Sequence, residues 1–210
     1  MDYIIIIFLF IAIISIISMN LMTYQISSIH SNIDERKHLV LNLPFKKTAA
    51  NIIAAMKKRL GKLVKYLVKK YKNDVQYKGR VMRLQKRFNS ENIQEASPDS
   101  KYTSYSINKG EELHFCIRPK RGSNKKIFDF HKLNTLMFVS IHELAHIMSK
   151  TYGHNDEFRE NFIFLLNNAS KCGIYEKTDY RKNKTPFCGM DITNTPLSDQ
   201  QIRELFYNFE

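Results

Sequence analysis

The hydrophobic pattern of the chain changes period repeatedly, and each change marks a different kind of element. Residues 3 to 22 carry no charged side chain and are almost wholly apolar. About twenty such residues at a 1.5 Å rise cross a hydrocarbon core of about 30 Å, so the stretch predicts a transmembrane helix. Residues 26 to 45 show no sustained period and hold Ser, Asn, Asp and Pro44, the composition of a short juxtamembrane linker. From Lys46 to Tyr71 apolar side chains at Ala49, Ile52, Ile53, Met56, Leu60, Leu63, Val64 and Leu67 recur at helical spacing, with lysines on most of the other face. Arg80 to Phe88 predicts a second, short basic helix, closed by Asn89-Ser90 and a polar stretch in which Pro98 forbids regular helix.

The period then falls to two. Tyr102 to Ile107 and Glu112 to Ile117 read as strands around Asn108-Lys109-Gly110, a turn with Gly where positive φ is wanted. The second of these is expected to be an edge strand along which an extended peptide pairs. After a polar, basic loop over 119–126, helical spacing returns at Leu133, Leu136, Met137, Val139, Ile141, Leu144, Ala145 and Met148, with Asp129 as the expected N-cap. Asn155 or Asp156 opens a further helix with Phe158, Phe162, Leu165, Leu166 and Ala169 on one side. Residues 173–197 read as an ordered loop region, and Leu197 to Phe209 as a short terminal helix.

These elements predict an α+β domain over 46–210, with a small β-sheet, preceded by an anchor over 1–25 and a linker over 26–45. Charge sharpens the picture, because the segment 46–87 holds fifteen Lys or Arg against one acid, Asp74, a net +14 against +13 for the whole chain, so the remainder is near neutral. Such a face is either a solvated helix surface or a contact for anionic lipid or nucleic-acid phosphates. Basic residues follow the apolar span while only Asp2 precedes it. A single-pass membrane protein with a cytosolic C-terminal domain is therefore expected, an uncleaved anchor rather than a signal peptide. Cys116, Cys172 and Cys188 do not form a disulfide framework, which favours a reducing compartment and leaves a Cys172 to Cys188 bridge open.

The chemistry concentrates in His142-Glu143-Leu144-Ala145-His146. Residues four apart share a helix face, so His142 and His146 converge on one metal ion while Glu143 lies beside it as general base. His154, after the turn-favouring Gly153, supplies a third ligand, and a fourth position is left for water, which is the catalytic form of a zinc site. Glu157 or Glu160 is the next candidate should His154 fail. The expected activity is hydrolysis of peptide bonds in a protein or peptide substrate, with Zn2+ as cofactor and Glu143 moving the proton. Another reading stays open, a non-catalytic, membrane-tethered basic module that binds acidic lipid or nucleic acid.

The segment from Ser106 to Pro119, with its Asn108-Lys109-Gly110 turn and Arg118, the helix with His142 to His146, and Gly153-His154-Asn155-Asp156-Glu157-Phe158 together resemble the WLM family of metalloproteases, related to SprT and Spartan. The resemblance covers roughly residues 46 to 170. It implies a zincin-like fold, zinc, and action on proteins, and it adds the alternative of a DNA-dependent protease acting on DNA–protein crosslinks. Gly173-Ile174-Tyr175, Phe187-Cys188-Gly189-Met190 and Asn194-Thr195-Pro196 resemble membrane-anchored WLM-like proteins of large DNA viruses. In the family the third His usually lies six positions after the second; here His154 lies eight after His146. The extra residues fall in the turn after the metal helix.

Overall fold

The structure is a computed structural model that describes residues 2–22, 25–97, 100–120 and 129–203; of Asp2, Ile4 and Ser15 to Met22 it describes the backbone only. The expectations placed on Pro98, on most of the basic loop over 119–126 and on the end of the terminal helix lie outside these residues.

The domain is built around two helices that carry the apolar stripes read above. Helix α2 (Lys46–Tyr71) buries Ala50, Ile53, Met56, Leu60, Leu63 and Leu67 completely, and α4 (Leu133–Met148) buries Leu136, Met137, Ile141, Leu144 and Ala145. Their stripes meet in one core, so every apolar position of one helix finds a partner on another element rather than water. Helix α3 (Lys78–Arg87) lies against α2 and α4 through Val81 and Leu84. Helix α5 (Asp156–Lys171) packs on α4 with Phe158, Phe162, Leu165 and Leu166, and begins where expected, with Asn155 Oδ1 accepting from the Phe158 N–H. Helix α4 begins later than expected. Its N-cap position is Lys132, without a side-chain cap, and Asp129 lies outside the helix.

Three small sheets complete an α+β architecture. In the largest, β5 (Glu112–Phe115) is central, parallel to β3 (Ile93–Glu95) and antiparallel to β4 (Ser104–Ile107). The hairpin turn holds Asn108, Lys109 and Gly110 at φ of 46°, 55° and 109°. At Gly110 a Cβ would come within 2.9 Å of the Arg87 carbonyl, so both space and conformation demand glycine. The edge position falls to β4, not to the 112–117 strand, because β3 takes the second side of β5. Nothing in the local pattern of 93–95 announces so short a parallel partner.

Residues 25–45 are not a linker. They form a hairpin of β1 (Ile26–His30) and β2 (Lys37–Leu41), paired from Ile26 opposite Leu41 to His30 opposite Lys37, and Val40 and Leu41 are buried against α2 and β3. A buried ion pair ties this hairpin to the sheet. Glu95, 1 % exposed at its side chain, takes the Arg118 Nε–H at 2.6 Å through one oxygen and the Leu41 N–H at 2.9 Å through the other. Burial pushes the Glu95 carboxyl upward, and Arg118 opposes it.

The transmembrane expectation is overturned as well. Helix α1 (Asp2–Met22) is present, but among the described residues no helix is long and apolar enough to cross a membrane. The fold class is therefore α+β with small sheets, and no membrane-spanning helix is found among the described residues.

The loop region 173–197 contains β6 (Thr185–Phe187) and β7 (Met190–Ile192), joined by Cys188-Gly189 at φ of 49° and 83°. Positive φ at both central residues is the two-residue turn whose twist suits a hairpin. The short helix α6 (Asp199–Arg203) follows. Cys188 is bonded to Cys116, just past β5, across 72 residues of sequence, and Cys172 is free. The bridge is thus Cys116 to Cys188 and not Cys172 to Cys188, because folding places the turn of the last hairpin over the end of the central strand.

Candidate metal centre

The last two turns of α4 point His142 and His146 to the same side, and the loop from Ser149 to His154 returns the chain so that a third ring meets them. The three Nε2 atoms form a nearly equilateral triangle: His142 to His146 is 3.2 Å, His146 to His154 is 3.2 Å and His154 to His142 is 3.1 Å. Four ligands at about 2.05 Å from a tetrahedral ion lie about 3.3 Å apart, so the three nitrogens fit one face of such a tetrahedron. Nε2 is the atom that meets the others on all three rings, so it is the nitrogen each ring could offer to an ion. No protein atom among the described residues joins them as a fourth metal-binding group.

Burial, followed by the neighbouring His146 and His154, lowers the His142 pKa to about 3, and burial followed by His154 and Lys109 lowers His146 to about 4. Both rings are neutral donors near pH 7, the form a metal requires. Glu143, 8 % exposed, faces the same cleft, and burial alone raises its pKa to about 8. A cation held beside it would act in the opposite direction and favour the carboxylate.

Phe158 is the floor of the site. Its ring lies 4.8, 4.3 and 4.7 Å from the rings of His142, His146 and His154, and Phe162 lies 5.2 Å from His142. The sequence reading assigned Phe158 only to the core face of α5. Its position four residues after His154, in the first turn of the helix that the loop leads into, is the signal that was available.

The two carboxylates kept in reserve as ligands have other work. Glu157 accepts from the Lys150 N–H at 3.0 Å, the Thr151 N–H at 3.2 Å and the Thr151 hydroxyl at 2.8 Å, all within the loop that carries His154. Burial works to raise its pKa, but these bonds and Arg83 prevail and hold it below the usual carboxylate range. Glu160 pairs with Arg80 at 3.0 Å on the far side of α5. The loop is secured from its other side by Lys109 at the tip of the β4–β5 hairpin. Its ammonium donates to the carbonyls of Lys150 at 2.5 Å and Thr151 at 3.3 Å and lies 4.1 Å from the Tyr152 ring centroid. Arg83 donates to the carbonyl of Met148, and Arg87 to those of Ile147 and of Ser149 just past α4, at the helix end where carbonyls lack partners within the helix. This clamp secures the loop from which His154 reaches the other two histidines.

These contacts also divide the basic segment in two. Arg59, Arg80, Arg83, Arg87 and Lys57 are spent on internal carbonyls and side chains, whereas Lys58, Lys62, Lys65, Lys69 and Lys72 remain exposed. The cleft itself is about 690 Å³. The metal helix forms its base, β4 with Thr103, Ser104 and Ser106 one side, and Phe138, Val139, Phe187, Met190 and Ile192 the other.

Comparison with known proteins gives relatives encoded by viruses. Uncharacterized protein R325 of Acanthamoeba polyphaga mimivirus is 34 % identical over 168 residues, covering 80 % of this chain and 83 % of its own length. The chain belongs to the family of this mimivirus protein. Partial matches are to uncharacterized protein 136R of Invertebrate iridescent virus 6, 36 % identical over 40 % of this chain and 45 % of the relative, and to uncharacterized protein 042R of Invertebrate iridescent virus 3, 41 % identical over 35 % and 42 %. No family model matches the chain. No solved structure matches it either.

Proposed function

We propose that the chain is a zinc-dependent endopeptidase of the WLM-like kind. The observation that carries this reading is the triangle of three imidazole nitrogens at 3.1 to 3.2 Å, with a buried glutamate next to it, at the base of an open cleft. His142, His146 and His154 would hold the ion through Nε2, and three protein ligands leave a place for substrate or water, which distinguishes a catalytic from a closed structural site. When bound, zinc supplies a Lewis acid that polarises the scissile carbonyl and makes water a nucleophile near neutral pH.

The chain's own residues do the rest. Glu143 takes the proton from the attacking water and delivers it to the departing amine nitrogen, so one carboxylate serves as base and then as acid. Phe158 and Phe162 keep water from the back of the imidazoles. Strand β4 pairs with β5 on one side only, and its other side borders the cleft, so an extended substrate is positioned there by main-chain hydrogen bonds. The test is metal content together with peptide hydrolysis by the full chain, compared with Glu143→Gln. A zinc-loaded protein without any peptidase activity would refute the proposal.

The exposed lysines of α2 favour a second property, contact with a polyanion such as nucleic acid, which is compatible with the first. A DNA affinity that fails to fall with rising salt would exclude it.

A further inference from the structure

The two sides of the cleft differ in chemistry, and the difference points to the substrate. One side is strand β4, whose Ser104 and Ser106 present small hydroxyl side chains and leave the main chain accessible. The other is apolar and comes from two distant parts of the sequence, Phe138 and Val139 of α4 and the β6–β7 hairpin. In that hairpin Phe187 is opposite Met190 and Thr185 opposite Ile192. Directly paired residues share a face, and so do residues two apart, so Phe187, Met190 and Ile192 line up on one face while Pro186 and Asp191 take the other.

Met190 is 55 % exposed, an unusual state for a large apolar side chain that borders a cleft. Phe187 beneath it is buried and packs on His131 at 4.8 Å, and Phe138 is fixed by Tyr180 at 4.6 Å and Phe162 at 5.2 Å. The wall thus has a rigid base and an open apolar lip. Its turn is fastened by the Cys116–Cys188 disulfide, and Cys116 follows directly on β5, the strand that also carries β4. One covalent bond therefore holds the apolar wall at a fixed distance from the strand that positions the substrate.

We infer that the β6–β7 hairpin selects substrates, and that the peptide bound along β4 presents a bulky aliphatic or aromatic side chain to Phe138, Val139, Phe187, Met190 and Ile192. This rests on the peptidase reading of the same cleft and adds the class of side chain. In an extended peptide successive side chains alternate, so main-chain pairing to β4 leaves one side chain aimed at the opposite wall. Removing that side chain from water against five apolar residues favours Leu or Phe over Ser by roughly 10–100-fold in affinity.

The inference is tested on the zinc-loaded full chain carrying Glu143→Gln, which binds without turnover. Affinities are measured by fluorescence anisotropy for extended peptides that place Leu, Phe, Ser or Asp in turn at each position. One position should show the 10–100-fold preference for Leu and Phe, and Met190→Ser or Ile192→Ser, both at partly exposed positions, should reduce it at least fivefold while affinity for the Ser peptide stays unchanged. Equal affinities at every position, or a preference that both variants retain, would overturn it. Absence of binding by every peptide would overturn it together with the peptidase reading. Hydrolysis by the unsubstituted chain distinguishes the two: cleavage without side-chain preference refutes the hairpin's role alone, and preference in binding without cleavage refutes the hydrolase alone.

Discussion

Replacing Glu157 by Ala leaves all three imidazoles in place and removes the carboxylate that organises the loop carrying one of them. That carboxylate accepts three hydrogen bonds from Lys150 and Thr151 and lies 3.6 Å from Arg83. Hydrogen bonds to a charged group contribute about 1.5–3 kcal/mol each when buried, but this side chain is 26 % exposed and part of each bond is recovered by water. About 1.4–2.8 kcal/mol for the set is a reasonable figure, and if the loop must be ordered for His154 to bind, that is roughly 10–100-fold in zinc affinity. The same range is typical of residues that orient metal ligands. His154→Ala removes a ligand outright and should cost more, above about 100-fold, since each of the ligands in a zinc site carries about 3 kcal/mol of a total near 10–16.

Competition with a chelator of known affinity measures both losses, with Glu160→Ala as the unaffected control. Cobalt substitution then separates the mechanisms. His154→Ala should change the visible spectrum of the bound cobalt, while Glu157→Ala should leave its shape intact and only weaken binding, and Glu157→Gln, which keeps an acceptor for the loop amides, should restore part of the affinity. A Glu157→Ala spectrum altered as much as that of His154→Ala would mean that the carboxylate is a ligand and that the loop argument fails.

Other expectations follow from the same contacts. Glu143→Gln should retain zinc stoichiometrically and lose about 10²–10⁴-fold in peptide turnover, measured on one substrate with both proteins. Arg118→Met leaves Glu95 as a buried carboxylate without its partner and should lower stability by about 3–5 kcal/mol in urea denaturation, whereas Arg36→Met, at the exposed pair with Glu91, should change it by less than about 1 kcal/mol. Deleting residues 1–42 removes Val40 and Leu41 from the core and should cost about 1.5–3 kcal/mol for each, while deleting residues 1–24 should leave the thermal midpoint of the domain unchanged. Replacing Cys116 and Cys188 together by Ser opens a loop of 72 residues and should cost about 2–5 kcal/mol, with faster amide exchange over 185–192 and no loss of zinc.

Local physics was legible wherever one segment determined its own structure. The stripes of α2, α4 and α5 have the helical period whatever they pack on, Asn155 caps its helix by a bond within one turn, and the Asn108-Lys109-Gly110 turn follows from the conformations those residues allow. The pair His142 and His146 belongs to the same class, since four residues of helix are enough to bring them together. What the period could not reveal was the partner of each segment. The hairpin over 26–41 has only one strongly buried strand end, so its pattern looks like a linker until Glu95 and α2 are in place. The span at the N-terminus was read from apolarity alone, and among the described residues no helix is long and apolar enough to cross a membrane.

Tertiary structure decided the rest. It made β4 the edge by setting β3 on the other side of β5, and it chose Cys188 for Cys116 across a separation that no spacing rule covers. It also drew Lys109, Arg83 and Arg87 away from solvent to the carbonyls at the end of α4, where a sequence shows only basic residues. The third ligand shows the boundary most clearly. Sequence alone determined that a histidine followed the helix of His142 and His146, but whether the loop after Met148 returns its Nε2 to within 3.2 Å of the other two depends on bonds from Glu157 and Lys109, residues on different elements that only the folded chain brings to one loop.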